Sequence, residues 1–384
     1  MLPLDIKETE SMNHILLTGA TGLLGRYLIR DLTQQGYSVA VLVRSSRTAS
    51  ASDRIDEVMK HWEPTTGQLA TPRVLEGNIT QPNLGLSETD QLWAAANCSA
   101  VIHSAASLKF QPAGDEPWNS NLNGTRNVVE FCENNSIEQL FYISTSYVCG
   151  KTEEIAYETA VPGHTEPRNV YEASKRQAEQ QVLNADLLSP PTILRPSIII
   201  GDSQTGYTST FHGPYLPLRL SLAMLAPAAA TAGVRIAPDA HKILKMMGLT
   251  GDEMKNIVPV DWVSRGITRV VTTSSLHGQI YHLTTTNALS VRDLTMNTVN
   301  FLDQTFGFDH ATPTQFDSQM EEFFTAQMGV YKEYWANDPT FDTTNRDLAM
   351  PDDPPPVMDA AILNMMFGFV WREEQKQRET AETQ

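Results

Sequence analysis

Short apolar runs alternate along this chain with longer stretches whose apolar positions recur three or four residues apart. The runs His14 to Thr18, Ser38 to Arg44, Arg73 to Glu76, Ala100 to His103, Leu140 to Ser144 and Thr192 to Leu194 read as buried strands. Between the first two, Leu23, Leu24, Tyr27, Leu28 and Leu32 fall at helical spacing, so the chain opens strand, glycine turn, helix, strand. Repetition of that unit to about residue 200 predicts a doubly wound α/β architecture. Right-handed crossovers lay a parallel sheet between two layers of helices, and few other arrangements remain. After Gly201 the rhythm changes: helical patterns near Leu216 to Ala226 and Leu294 to Leu302 frame one further strand, Gln279 to Leu283. Pro351 to Pro356 reads as a rigid loop before a final helix. The expected organisation is a tail over 1–12, a sheet domain over 13–205 and a smaller region over 206–372 with segments returning to the sheet. Residues 373–384 are expected to fray.

The 384 residues carry 45 acidic and 28 basic side chains, a net charge of -17, which works against nucleic acid and anionic lipid as partners. Cys98, Cys132 and Cys149 lack CxxC spacing, so neither a disulfide framework nor a zinc site is indicated. The nine histidines show no HExxH pattern, and the acidic pairs Glu153/Glu154, Glu321/Glu322 and Asp352/Asp353 read as solvated surface, so no metal is expected. Met1 to Met12 carries charges in place of an apolar signal core, and no run approaches the roughly 18 apolar residues of a membrane span. A cytoplasmic protein is the expectation. Ala361 to Trp371 is apolar but short and reads as core, with a greasy site or subunit contact as the other reading.

The segment Thr18-Gly19-Ala20-Thr21-Gly22-Leu23-Leu24-Gly25 sets three glycines between a strand and a helix. Backbone amides there can approach a pyrophosphate at the positive end of the helix. Where an acidic residue would hold the ribose of NAD, the second strand ends in Arg44, followed by Ser45, Ser46 and Arg47. Arginine suits a 2′-phosphate, and so NADP, although a solvated arginine closing a strand is the plainer alternative. Tyr171 and Lys175 stand four apart in Asn169-Val170-Tyr171-Glu172-Ala173-Ser174-Lys175, on one face of a helix. An ammonium beside the phenol, together with a positive nicotinamide ring, would favour phenolate and make the hydroxyl a usable acid/base. A packed tyrosine beside a solvated lysine has the same spacing. Against that, Phe141-Tyr142-Ile143-Ser144-Thr145-Ser146 ends a strand in hydroxyl residues at the carboxyl edge of the sheet, where such folds place ligands.

Taken together, the residues resemble the extended short-chain dehydrogenase/reductase family from Ile15 to about Leu283. The likeness rests on the glycine turn, Val101-Ile102-His103-Ser104-Ala105-Ala106, Asn121 with Gly124-Thr125, the Ser-Thr-Ser strand end, Tyr171/Lys175, Arg195-Pro196-Ser197 and Val258-Pro259-Val260-Asp261-Trp262-Val263. It implies a Rossmann-like, NADP-binding fold in which Thr145 partners Tyr171 at the substrate carbonyl and Lys175 also holds the nicotinamide ribose. The implied cofactor contacts are Gly19, Thr21, Gly22, Leu23, Leu24, Gly25, Arg44, Arg47, Asn78, Ile79, Ser104, Ala105, Ala106, Asn121, Ser144, Tyr171, Lys175, Pro196, Ser197 and Ile198. Asn121 would in addition support the active-site helix. Gly77-Asn78-Ile79 departs from the family pattern, in which Asp follows the glycine and meets adenine; Asn78 can still hydrogen-bond there.

Within the family, the Tyr171 segment and Arg195 to Gly206 look most like fatty acyl reductases and thioester reductase domains. That implies reduction by NADPH of an acyl thioester, on CoA or a carrier protein, to aldehyde and on to alcohol if a second hydride follows. Sugar-nucleotide epimerases or dehydratases and ketone or hydroxysteroid reductases share the catalytic elements. An NADP-sensing regulator would share the fold, though such relatives commonly lose the tyrosine or lysine. Tyr334-Trp335-Ala336-Asn337-Asp338-Pro339-Thr340-Phe341-Asp342 supplies aromatic material for an acyl pocket, or simply core.

Overall fold

The computed structural model describes residues 14–111, 113–211, 213–231, 239–307, 322, 326 and 334–383. The 1–12 tail and Glu321 lie outside these residues. The first βαβ unit is β1 (His14–Thr18), α1 (Leu23–Gln34) and β2 (Val39–Val43). Leu24, Leu28 and Leu32 of α1 pack onto strand residues Ile15, Leu17, Val39 and Val41, the burial that selects helix over coil here. The alternation continues through α2 (Ala51–Thr66), β3 (Arg73–Glu76), α3 (Glu88–Asn97), β4 (Cys98–His103), α4 (Gly124–Asn134), β5 (Gln139–Ile143), α5 (Val170–Leu183) and β6 (Thr192–Pro196).

Later segments finish the architecture. They are β7 (Ile198–Ile200), α6 (Tyr215–Thr231), α7 (Ala240–Met247), β8 (Met254–Lys255), β9 (Ile257–Pro259), α8 (Val260–Thr272), β10 (Ile280–Leu283), β11 (Leu289–Ser290) and α9 (Val291–Phe306). A short helix, Thr344–Ala349, and a C-terminal helix, Ala360–Thr383, follow.

The main sheet has seven strands in the order β3-β2-β1-β4-β5-β6-β10, all parallel. The order reverses between β1 and β4, and there a parallel sheet opens a crevice at its carboxyl edge. Two apolar bodies cover its faces, one containing α1, α2 and α8 and the other α3, α4 and part of α5. A third gathers α6, α7, α9 and the C-terminal helix beside β7 and β9. β10 and α8 return to the sheet from the later half of the chain.

Ala361 to Trp371 turns out to be core: Leu363, Met366, Phe367 and Val370 are buried in the third body. The helix continues to Thr383, past the expected point of fraying, with Arg219 paired to Glu374 at 2.7 Å and Arg378 reaching the Leu222 carbonyl. Arg265 pairs with Asp353, and the Trp262 indole N–H donates to the Asp353 carbonyl, which fixes the proline-rich loop. Cys98, Cys132 and Cys149 are free and buried.

Candidate active site

A cavity of about 410 Å³ lies over the carboxyl ends of β1, β4, β5 and β6. Its cofactor side begins at the glycine turn. Gly19 has φ +76°, and a Cβ there would stand 2.7 Å from the Ala105 nitrogen, so the turn and the strand-β4 exit touch backbone to backbone. At Gly25 a Cβ would meet the Ala20 Cα at 2.8 Å, which seats α1 directly on the turn. Helix α1 has no side-chain cap and no acid in its first turn, so its free amides remain available to an anion. Thr18 ties the two strand ends together: its hydroxyl oxygen accepts from the Ser104 and Ala105 amides at 3.2 and 3.1 Å and lies 2.8 Å from His103 Nδ1. Burial holds the His103 imidazole neutral, its pKa pushed down to about 3.

The chemical side is carried by β5 and α5. Thr145 follows β5 and N-caps the turn Ser146–Cys149, its Oγ1 accepting from the Tyr147 amide at 3.3 Å, and its hydroxyl acts on that of Tyr171. Asn169 caps α5 through the Glu172 amide at 2.9 Å. Tyr171 and Lys175 then face the cavity one turn apart, with Thr145 and Ser144 opposite. Lys175 is 2% exposed; its ammonium donates to the Ile143 carbonyl at 2.7 Å and sits 4.2 Å over the Tyr142 ring. Burial pushes the Lys175 pKa down to about 7, against the pull of Glu179. Burial raises the Tyr171 hydroxyl well above its ordinary value and Glu172 adds to the rise, while Thr145 acts the other way. This reverses the direction expected from an adjacent ammonium. In the protein alone the lysine is spent on strand β5, desolvation decides, and the phenol keeps its proton.

Of the residues expected around a dinucleotide or in the chemistry beside it, Gly19, Gly22, Leu23, Leu24, Gly25, Ser104, Ala106, Ser144, Thr145, Tyr171, Lys175, Pro196, Ser197 and Ile198 line this one cavity. The others stand outside it. Ala105 abuts Gly19 through its backbone, and Thr21, within the turn, accepts from Arg26 at its carbonyl. Asn121 acts as a strut: its buried amide accepts from the Ser107 N–H at 2.7 Å and donates to the Ser107 carbonyl and to Ser174 Oγ on α5. Both its donors are used within the protein, which fixes the helix carrying Tyr171 to the loop after β4. Ile79 braces α4, its side chain against Gly124 and its carbonyl accepting from Asn127. Asn78 Oδ1 accepts from the Thr80 amide at 3.1 Å, which leaves its NH₂ group for a ligand. Arg44 and Arg47 are exposed beyond β2. Between them and the glycine turn stands Arg54 of α2, which the motifs do not single out. It donates to Thr21 Oγ1 at 2.8 Å and to the Arg44 carbonyl at 2.6 Å.

Much of the remaining cavity wall carries no motif: Leu108, Phe110, Tyr147, Thr210, Gly213 and Tyr215, with Glu172 from the Tyr171 segment among them. Tyr334, from the expected aromatic segment, joins them, whereas Trp335 is buried core. Two cavity hydroxyls, Ser144 Oγ and Ser197 Oγ, are buried with no hydrogen-bond partner, and a bare glycine cradle faces the same space. Such orphaned groups fit a polar, anionic ligand laid from α1 toward Tyr171, as a dinucleotide would be.

A family model described as Male sterility protein matches residues 17–267. The chain belongs to this family. Membership accords with the extended short-chain dehydrogenase/reductase motifs and the parallel sheet. Among curated relatives of this male sterility protein family member, a linear gramicidin synthase polypeptide of Brevibacillus parabrevis is 29% identical over 290 residues, 73% of this chain and 5% of that protein. Fatty acyl-CoA reductase 1 of Rattus norvegicus is 25% identical over 297 residues, 67% of this chain and 54% of that protein. The chain thus spans about half, or far less, of the curated relatives it matches. In structure, the terminal R domain from the myxalamid PKS-NRPS biosynthetic pathway superposes with a TM-score of 0.72 at 24% identity, over 95% of this chain and 92% of that one, which speaks to the fold. Among the described residues no helix is long and apolar enough to cross a membrane, and no group of three or more His, Cys, Asp or Glu residues could hold a metal.

Proposed function

We propose that this chain is an NADPH-dependent reductase of an acyl thioester, presented on CoA or a carrier protein, with aldehyde as its first product. The observation that carries the reading is the convergence of Thr145, Tyr171 and Lys175 on the cavity that opens at the glycine turn. The curated relatives include a fatty acyl-CoA reductase and a gramicidin synthase. Gly19, Gly22 and the α1 amides would hold the pyrophosphate, Ser144 and Ser197 would meet the nicotinamide end, and Lys175 is within the same wall for the ribose. Arg44, Arg47 and Arg54 favour a 2′-phosphate, and so NADP. When bound, the reduced nicotinamide supplies hydride.

The chain's own residues supply the rest. Thr145 donates a hydrogen bond to the thioester oxygen, and Tyr171, held protonated by burial, gives that oxygen its proton as negative charge develops. The resulting hemithioacetal loses its thiol and leaves aldehyde. The same two hydroxyls face an aldehyde equally well, so a second reduction to alcohol needs no further group.

Tyr171→Phe should retain NADPH affinity and lose a factor on the order of 10² or more in turnover, the usual contribution of a positioned acid. Turnover equal to wild type would remove the tyrosine from the mechanism. Following nicotinamide absorbance with acyl-CoA thioesters, aldehydes, ketones and UDP-sugars tests the substrate class; oxidation with ketones alone would overturn the thioester reading.

A further inference from the structure

Tyr171 is the second residue of α5. A helical side chain leans back over the turn that precedes it, and at this position α5 has no earlier turn to lean on, so the phenol ring must take its support from elsewhere. Phe110 provides it. The two rings meet at an interplanar angle of 70° with centroids 5.6 Å apart, the edge-to-face arrangement that aromatic pairs favour. Phe110 lines the same cavity, belongs to the loop after β4, and has no part in the reductase mechanism above.

The loop is registered against α5 itself. Ser104, Ala106, Leu108 and Phe110 line the cavity, while Ala105 and Ser107 between them are engaged at their backbones by Gly19 and Asn121. Asn121 holds the N–H and the carbonyl of Ser107 at 2.7 and 3.0 Å and donates to Ser174 Oγ at 2.9 Å. That hydroxyl donates in turn to the Tyr171 carbonyl at 2.7 Å. A closed circuit results: it leaves the Tyr171 backbone through Ser174, Asn121 and Ser107, reaches Phe110 three residues on, and returns from the Phe110 ring to the Tyr171 ring. Phe110 also meets the Tyr334 ring, at 5.4 Å between centroids, but the loop that carries it is tied to α5. We infer that Phe110 is a positioning residue whose ring sets the direction of the Tyr171 phenol and keeps the hydroxyl beside Thr145. A hydrogen bond at the hydroxyl restrains the tip of the side chain, and Phe110 restrains its body. The inference rests on the thioester reading above, in which Tyr171 is the proton donor, and adds to it the group that aims the donor.

The test measures kcat for NADPH oxidation with octanoyl-CoA in the full chain, Phe110→Ala, Tyr171→Phe and the double variant. A misdirected hydroxyl costs rate only while there is a hydroxyl to direct, so the two substitutions should be strongly non-additive. Phe110→Ala should lose about tenfold or more in kcat from wild type, with the Kd for NADPH nearly unchanged, because small displacements of a reacting group carry penalties of that order. In the Tyr171→Phe background the same substitution should lose less than about twofold, which makes the ratio of the two losses about fivefold or more. A ratio below about fivefold would show that Phe110 acts on the substrate or the fold, and would overturn the inference alone. NADPH titration reports folding, and Phe110→Leu, apolar but without a ring, carries the same comparison if the alanine variant does not bind NADPH. Wild-type turnover by Tyr171→Phe would remove the donor and this inference with it. No oxidation of NADPH by wild type with octanoyl-CoA would instead defeat the thioester reading on which both depend.

Discussion

Gly19→Ala and Gly36→Ala form a matched pair. Both glycines have positive φ, +76° and +82°, so each substitution incurs the left-handed backbone penalty of roughly 1–2 kcal/mol. Their surroundings differ. Nothing lies within 4 Å of a Cβ built on Gly36, whereas at Gly19 the Ala105 nitrogen, the Ser104 carbonyl carbon and the Ala105 Cα stand at 2.7, 2.8 and 2.9 Å. That backbone has little freedom to retreat, because the Ser104 and Ala105 amides are both bonded to Thr18 Oγ1. Forcing a methyl into such a contact adds about 1–3 kcal/mol. The expected losses are therefore about 2–5 kcal/mol for Gly19→Ala and about 1–2 kcal/mol for Gly36→Ala. Urea unfolding of the two variants beside wild type measures the difference, in which the shared backbone penalty cancels. Gly19→Ala should also weaken NADPH binding, because the turn and the β4 exit move apart. If the two variants unfold within about 0.5 kcal/mol of each other, the close approach of turn and strand exit is not a constraint, and the account of the cradle is wrong.

Two further outcomes are open to direct measurement. Arg54→Gln should raise the Kd for NADPH while leaving that for NADH nearly unchanged, narrowing the preference by about tenfold; titration of both nucleotides decides it, and a parallel change in the two affinities would assign Arg54 to packing alone. Lys255→Met leaves the buried Asp338 carboxylate only its longer 3.5 Å contact with Arg168 as an ion pair and should cost about 3 kcal/mol in denaturant unfolding, much of it recovered by adding Asp338→Asn. A double variant no more stable than the single one would show that the lysine's hydrogen bonds to the Tyr334 and Ala336 carbonyls matter more than the charge pair.

The sheet is legible in the sequence because a buried parallel strand advertises itself: Ile15 to Leu17 and Val39 to Val43 are continuous apolar runs, and α1 between them repeats with helical period. The proposed catalytic face is legible for a similar reason, since Tyr171 and Lys175 share a helix and their separation fixes their relative direction. Arg54 cannot be found that way. It comes to the glycine turn from α2, and its relation to Thr21 depends on how that helix crosses the sheet. A basic residue on the first helix after the strand carrying Arg44 is the one available signal. The substrate wall is still less visible, because Tyr215 and Tyr334 come from distant segments that meet only through tertiary packing. For Asn121 the motif suggests support for the helix, and the structure shows the partners of that support, Ser107 and Ser174; local sequence shows an amide but not which groups will meet it. The protonated state of Tyr171 escapes for a related reason. Spacing reveals a neighbouring ammonium, but not that the ammonium is tied to Ile143 or that burial outweighs it.

The division of the cavity between two hydrophobic bodies has an evolutionary consequence. Thr145, Tyr171 and Lys175 are anchored to the sheet, whereas Tyr215 and Tyr334 belong to the body built around the C-terminal helix. Changes in the second set can reshape what is admitted without disturbing the alignment proposed for proton transfer. Selectivity in this architecture is free to drift while the reaction stays fixed, and new substrates can be acquired by altering one half of the molecule.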